Sequence, residues 1–215
     1  MIDIEWYVTD DARGEIMSYT TSFRNELYYI VHLDNIPSII QHGILCHADA
    51  EDYDHVTVAL EQVQERRENK SVPQGLTLHK YVNLYFNPRN PMMFLRRTQF
   101  NELCVLGVDA SVITTPGVVI SDMNASKDLC RFMTWEDAMV SLDFEAIYAK
   151  YWNHPEDEEL SKLHKGVICA EVLVPASVSY AHVIKAFTAT SSVAARLQSL
   201  GFNKTIYIEP NMFFR

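Results

Sequence analysis

A carboxylate stands in the middle of an otherwise apolar run: VICAEVLVP, residues 167–175, has Glu171 at its centre. Strand alternation puts Val167, Cys169, Glu171 and Leu173 on one face and Ile168, Ala170, Val172 and Val174 on the other, so both faces read as covered. A strand of that kind belongs inside a sheet. Any fold that contains it must give the acid a partner, because an isolated buried carboxylate is expensive. On periodicity alone, an edge-strand acid facing water, or one neutralised by Lys165, satisfies the same pattern.

The rest of the chain supplies enough apolar material for such a sheet. It has 215 residues, 48% of them hydrophobic and 21% charged, which suits one large domain better than two small ones. There is no run of 18 apolar residues, and the acidic start MIDIEWYVTDDARGE lacks the basic and apolar regions of a signal peptide, so a soluble, cytoplasmic protein without membrane partners is expected. Cys46, Cys104, Cys130 and Cys169 are widely spaced with no CxxC pair, and read as reduced core thiols. A formal charge of -10 argues against non-specific binding to nucleic acid or anionic membrane, so any nucleic-acid contact must be local.

Along the chain, residues 26–33 (ELYYIVHL) read as a strand and DNIPSIIQHG as a short helix, with Asp34 or Asn35 as cap, Pro37 in the first turn and Gly43 as its stop. The spacing of Val56, Leu60, Val63 and Arg67 predicts a helix over 55–70 with Arg67 on its apolar face, leaving Arg66 about 100° away toward solvent. Strands are expected in TLHKYVNLYF before the turn NPRNP, and at 102–109, 116–121, 181–189 and 204–210. Residues 129–152 read as one or two amphipathic helices, and SSVAARLQSL as a helix capped by Ser191 or Ser192 and ended by Gly201. The charged stretch 153–166 reads as an exposed loop leading into the Glu171 strand, long enough to suggest a binding element. About six strands in mixed order with unequal helices give an α+β class, with no repeat, low-complexity segment or linker.

Several chemistries are excluded by what the glycines and histidines lack. Neither GxGxxG, GxxxxGK[ST] nor GxSxG occurs, which removes dinucleotide-fold, phosphate-loop and serine-triad readings. His42, Cys46 and His47 in HGILCH match no standard ligand spacing, so no metal is expected. What remains is Glu171 and Arg67. Each has an ordinary structural reading, but a buried acid and a buried arginine sharing a cleft would orient a polar ligand and stabilise developing charge.

The set LYYIVHLDNIPSIIQHGIL, QERRENKSVPQGLTLHKYVNLYFNPRNPMMF, VVISDMNAS, the YW pair at 151 and 152, and AEVLVP resembles the DarT family of DNA ADP-ribosyltransferases, in order and from about residue 26 to the terminal MFFR. The resemblance implies a single ADP-ribosyltransferase-like domain over 26–215, with 1–25 as an N-terminal extension and a split mixed β-sheet flanked by helices. It implies NAD as the ADP-ribose donor and single-stranded DNA as the acceptor. Family members are toxins that block replication, paired with an antitoxin, DarG, whose macrodomain removes the modification.

Residue by residue, the resemblance places Glu171 on the catalytic glutamate and Arg67 on the essential arginine. It puts Tyr29, Val31, His32, Asn35, Arg67, Tyr85 and Met92 around NAD. It puts Asp122 and Asn124 near the acceptor base or the cofactor, and Arg89, Asn124, Lys162 and Lys165 on DNA, with Arg96 and Arg97 as further basic candidates. Tyr29 and Val31 replace the histidine and threonine that many members carry, and Val31 gives up a hydrogen bond. HKYVNLYF differs from the HDYVPFYF of thymine-modifying members, which favours guanine slightly over thymine. Transfer of ADP-ribose to RNA, protein or water is the neighbouring alternative, and a non-catalytic NAD-binding interaction domain is the more distant one.

Overall fold

The computed structural model describes residues 23–215, so the expected extension 1–25 lies almost wholly outside the described residues. The elements run β1 (Glu26–His32), α1 (Ile36–His42), β2 (Ile44–Leu45), α2 (His47–Ala50), α3 (Glu61–Glu68), β3 (Tyr81–Tyr85), α4 (Pro91–Leu95), β4 (Leu103–Asp109) and β5 (Val119–Ser121). They continue β6 (Phe132–Met133), α5 (Trp135–Ser141), α6 (Phe144–Ile147), α7 (Glu158–Val167), β7 (Glu171–Pro175), β8 (Ser177–Val178), β9 (Val183–Thr188), α8 (Ser191–Ser199) and β10 (Thr205–Ile208). Eight of these strands form one sheet in the order β10-β9-β4-β1-β3-β7-β5-β6, and β2 pairs with β8 in a small ribbon. The class is α+β, as expected, with strands antiparallel except for β9 and β10.

The sheet is split. All seven residues of β1 pair with β4, but β1 meets β3 only at Tyr28↔Tyr85. On one side of that seam β4 (LCVLGVD) is buried from Leu103 to Val108, which its unbroken apolar run dictates: both of its faces carry side chains that water does not tolerate. On the other side β7 lies between β3 and β5, and is equally buried. Two half-sheets with their own packing therefore share one narrow junction. A crevice opens beyond it.

Local interactions override several readings taken from periodicity. The helix expected over 55–70 is confined to α3, because residues 56–59 are held extended. The Asn35 side chain bonds both the N–H and the C=O of Val56 at 2.8 Å, and Arg96 donates to the carbonyls of Val58 and Ala59 at 3.0 and 3.1 Å. The β-branched run there favours that geometry. Asn35, engaged in this way, makes no side-chain cap for α1, and neither does Asp34, which pairs with Arg196. Gly43, at φ 82, does stop α1.

The charged stretch 153–166 is not a loop throughout. Asp157 accepts from Leu160 N–H at 2.8 Å, Glu158 and Glu159 sit in the first turn and His164 and Lys165 in the last, an arrangement that suits the helix dipole and yields α7. Since α7 runs to Val167, the apolar run 167–175 is divided: β7 begins at Glu171, and the acid stands at the strand's mouth rather than at its middle. Residues 129–152 break into β6, α5 and α6. Thr134 and Asp143 start fresh caps at Asp137 and Ala146, and Val140 is left 90% exposed. Three cysteines are buried and free, while Cys130 is only half-buried and also free.

The last helix is capped by Thr190, which accepts from Val193 N–H at 3.3 Å, and not by Ser191 or Ser192. Thr190→Ala is expected to lower stability by about 1 kcal/mol in urea unfolding, against a few tenths at most for Ser191→Ala. Equal losses would return the cap to the serine.

Candidate active site

The crevice at the seam holds a cavity of about 430 Å³. β1 supplies Tyr29 and Val31, β3 supplies Asn83 and Tyr85, and α3 supplies Gln64 and Arg67. Residues 55–60, pinned by Asn35 and Arg96, form one wall. Asn124, Ser126 and Lys127 form another, and Lys162 and Lys165 project from α7 at the rim.

Glu171 and Arg67 meet beside this cavity. Arg67 Nη1 donates to Glu171 Oε2 at 3.0 Å and to Oε1 at 3.3 Å, and Ala125 N–H reaches Oε1 at 3.4 Å. The carboxylate is 0% exposed and the arginine 5%, so each charge takes its compensation from the other. Register explains the placement: Glu171 lies opposite Tyr85 of β3 and Ser121 of β5, and its backbone N–H donates to Ser121 Oγ at 3.2 Å. Glu171 does not itself line the cavity. Arg67 does, covering the acid, and its buried Nη2 has no hydrogen-bond partner among the described residues. The default partner Lys165 stands elsewhere, on the rim.

The surroundings are tuned against ionisation of the tyrosines. Burial, and then the Glu171 charge, hold the Tyr85 hydroxyl well above the ordinary range, while it donates to Met92 Sδ at 3.5 Å. Burial pushes Tyr29 up to about 12. Both stay neutral donors at physiological pH. Burial, then His47 and Arg67, depress His79, which bonds Gln64 at 3.0 Å and so ties α3 to the residues leading into β3.

Of the residues singled out from sequence, the structure gathers Tyr29, Val31, Asn35, Arg67, Tyr85, Met92, Asn124, Lys162 and Lys165 around the cavity. It does not bring His32 there. That side chain accepts from Asp34 N–H at 3.2 Å and lies near Glu102, capping the turn after β1. Asp122 is absent too, because Arg131 occupies it at 2.7 Å. Arg89 donates to the carbonyls of Asn211 and Lys150 at 2.9 and 2.6 Å, so two of its donors brace the fold beside a second cavity. Arg96 braces the 55–60 wall, and Arg97 lies over Phe94. Lys162 is paired on the surface with Glu158 and Glu159. Arg66 is exposed, as its helix position implies, but it too reaches the cavity rim.

Sequence reasoning passed over Ser121 and Ala125, which hold Glu171, and Gln64, Ser126 and Lys127, which line the cavity. Ser126 was within reach, since it closes the DMNAS stretch. Ala125 lies in the same stretch; the Ser121 contact depends on strand register, and the placing of Gln64 and Lys127 on how α3 and the loop after β5 pack, none of which a lone sequence carries.

Removing one member of a buried ion pair strands the other, so Arg67→Met is expected to cost about 3–5 kcal/mol in denaturant unfolding, with Arg67→Met/Glu171→Leu recovering most of it. For His79, the folded state binds the proton less tightly than the unfolded chain, whose ordinary value is 6.5. Its contribution is therefore present above that value and lost as pH falls through the lower, folded one. Melting temperature should fall between about pH 7.5 and about pH 5.5, less steeply in His79→Gln.

A family model described as "ssDNA thymidine ADP-ribosyltransferase, DarT" matches residues 28–214. A DNA ADP-ribosyl transferase–DNA ADP-ribosyl glycohydrolase fusion protein of Thermosipho africanus is 29% identical over 203 residues, covering 88% of this chain and 49% of the relative. This chain thus spans about half the length of that protein. The solved structure of Thermosipho africanus DarTG in complex with ADP-ribose matches with a TM-score of 0.78 at 26% identity, over 88% of this chain and 51% of that one. Thermus sp. 2.9 DarT in complex with ADP-ribosylated ssDNA matches with a TM-score of 0.76 at 24% identity, over 87% and 95% of the two chains, which speaks to the fold. The match over nearly the whole described chain places this protein in the DarT family of DNA ADP-ribosyltransferases.

Proposed function

We propose that this chain transfers ADP-ribose from NAD onto a nucleobase of single-stranded DNA, with Glu171 and Arg67 as its catalytic pair. The observation that carries the reading is the buried Arg67–Glu171 contact beside a cavity that no Asp or Glu among the described residues lines. The chain as a whole is at -10, yet Arg66, Arg67, Lys127, Lys162 and Lys165 surround this one hollow. Such a site accepts a dianionic pyrophosphate and a phosphodiester, and it repels an acidic peptide.

In the reaction, the bond between the nicotinamide nitrogen and ribose C1′ breaks and its electron pair leaves with nicotinamide. The base supplies the pair for a new bond to C1′ and gives up its N–H proton to solvent water. Glu171 stabilises the cationic sugar by holding its 2′-hydroxyl, which requires the Arg67 side chain to move off part of the carboxylate. Arg67 then turns its fork to phosphate, a role its unpartnered Nη2 is free to take. Tyr29, Val31, Asn35, Tyr85 and Met92 contact NAD, and Asn124 and Lys165 meet the DNA. His32 and Arg89 act at one remove, by fixing a turn and a wall. Lys162 contributes once DNA displaces its acidic neighbours.

The finer reading is a toxin whose modification blocks replication in the cytoplasm, opposed by a DarG-type macrodomain, carried by residues 26–215 as one unit. The Thermosipho africanus relative, a transferase fused to a glycohydrolase, supports that pairing. HKYVNLYF favours guanine slightly, and the family model's own description favours thymidine as the alternative base.

Incubating the protein with NAD and single-stranded DNA, RNA or no acceptor, then weighing the nucleosides, should reveal ADP-ribose on one DNA base. Product on RNA alone, or only free ADP-ribose, would replace this reading with its alternative. Glu171→Gln should lose roughly 100-fold or more in rate, Arg67→Lys most of its activity, and Arg66→Ala much less.

A further inference from the structure

A second cavity, about 320 Å³, adjoins the first and shares Pro91, Leu95 and Lys165 with it. Its walls are aromatic and cationic. Phe94, Trp152 and Phe214 pack edge to face on one another, with ring centroids 5.2 to 5.9 Å apart. Tyr151 stands beside them, 67% exposed, with Lys150 5.4 Å from its ring centre and Arg89 6.0 Å. Arg89 also lies 3.9 Å over Phe214. No Asp or Glu among the described residues lines this cavity either.

This wall is braced from several sides. Arg89 ties the turn before α4 to the carbonyls of Lys150 and Asn211. His154 Nε2 and His164 Nδ1 lie 2.9 Å apart, and His164 Nε2 reaches Ala146 O at 2.9 Å, which locks the segment after Trp152 onto α7. A large, exposed tyrosine on so firmly held a backbone is of little use to the core. It presents a flat face at small entropic cost.

We propose that this second cavity is a stacking subsite for the nucleobase next to the one modified, with Tyr151 as its platform. The inference rests on the reading of single-stranded DNA as acceptor. Two features point to a nucleotide rather than to an apolar side chain. Aromatic faces accept any base, and Lys150 and Lys165, with no acid beside them, accept the phosphate that accompanies it. Lys165 stands on the wall common to both cavities, where the phosphodiester joining the two nucleotides would pass. The Arg89 assigned to DNA from sequence serves here chiefly by holding Tyr151 and Phe214 in place.

The test uses the full chain as Glu171→Gln, single-stranded oligonucleotides carrying 5-iododeoxyuridine at each position in turn, and irradiation followed by peptide mapping. Crosslinks at Tyr151, Phe94 or Trp152 are expected from one or two adjacent positions. In the active enzyme, Tyr151→Ala should raise the KM for oligonucleotide about 5- to 100-fold, more than any change in the KM for NAD, while Tyr151→Phe stays near the parent. Crosslinks confined to other segments, or an unchanged oligonucleotide KM in Tyr151→Ala, would overturn the subsite and leave DNA modification intact. If NAD is consumed without DNA modification, the acceptor reading fails, and the crosslink map still decides whether a base sits on Tyr151.

Discussion

One buried charge pair organises the middle of this molecule. Glu171 has neither water nor a lysine to balance it, and a single nitrogen of Arg67 together with one backbone N–H must hold it. Everything around that contact is arranged to keep it in register. β7 is fixed between β3 and β5, so that Tyr85 and Ser121 flank the acid, and α3 is drawn against the residues before β3 through the Gln64–His79 bond. Replacing the pair with apolar side chains would make a comfortable core. Its retention at the edge of a cavity is the mark of a site that spends stability on polarity.

The seam in the sheet explains why there is a cavity at all. Strands that paired along their whole length would close the space between β1 and β3, as β1 and β4 do. One junction at Tyr28↔Tyr85 joins the halves while leaving their far ends apart, and the residues of β1 and β3 that would have faced each other line a hollow instead. The extended 55–60 wall is built over that opening by two side chains from other elements, Asn35 and Arg96, and not by any preference for helix in its own sequence.

What sequence revealed and what it hid divide along the same line. The covered faces around Glu171 were legible within a few residues, although an edge acid fitted the same pattern, and Arg67 is buried as expected, though on a short α3 that exposed Val56 and Leu60 do not share. The apolar run of β4, the Gly43 stop and the exposure of Arg66 were legible for the same reason. Wherever a distant side chain decides, periodicity misleads. Residues 55–60 carry helical spacing but are held straight from outside, and 153–166 look like a loop until Asp157 is recognised as a cap. His32 is the clearest case among the site residues. Tyr29, Ile30 and Val31 all line the cavity, but His32 ends β1, and its ring turns to accept from Asp34 N–H and cap the turn instead.

Charge placement carries the argument furthest. A chain with ten more acids than bases repels polyanions at a distance, so a nucleic-acid enzyme of this composition cannot depend on its overall field. Its two neighbouring cavities instead exclude acidic side chains and gather cations at short range, inside about one Debye length, where local charges outweigh the net. If single-stranded DNA is the acceptor, as proposed, this arrangement favours a strand threaded into the hollow over a duplex lying across the surface, because only a flexible chain brings its phosphates within reach of Lys165. Under the proposed reading, selectivity for single strands follows from geometry and from the background charge together: the acidic exterior rejects what the basic interior cannot enclose.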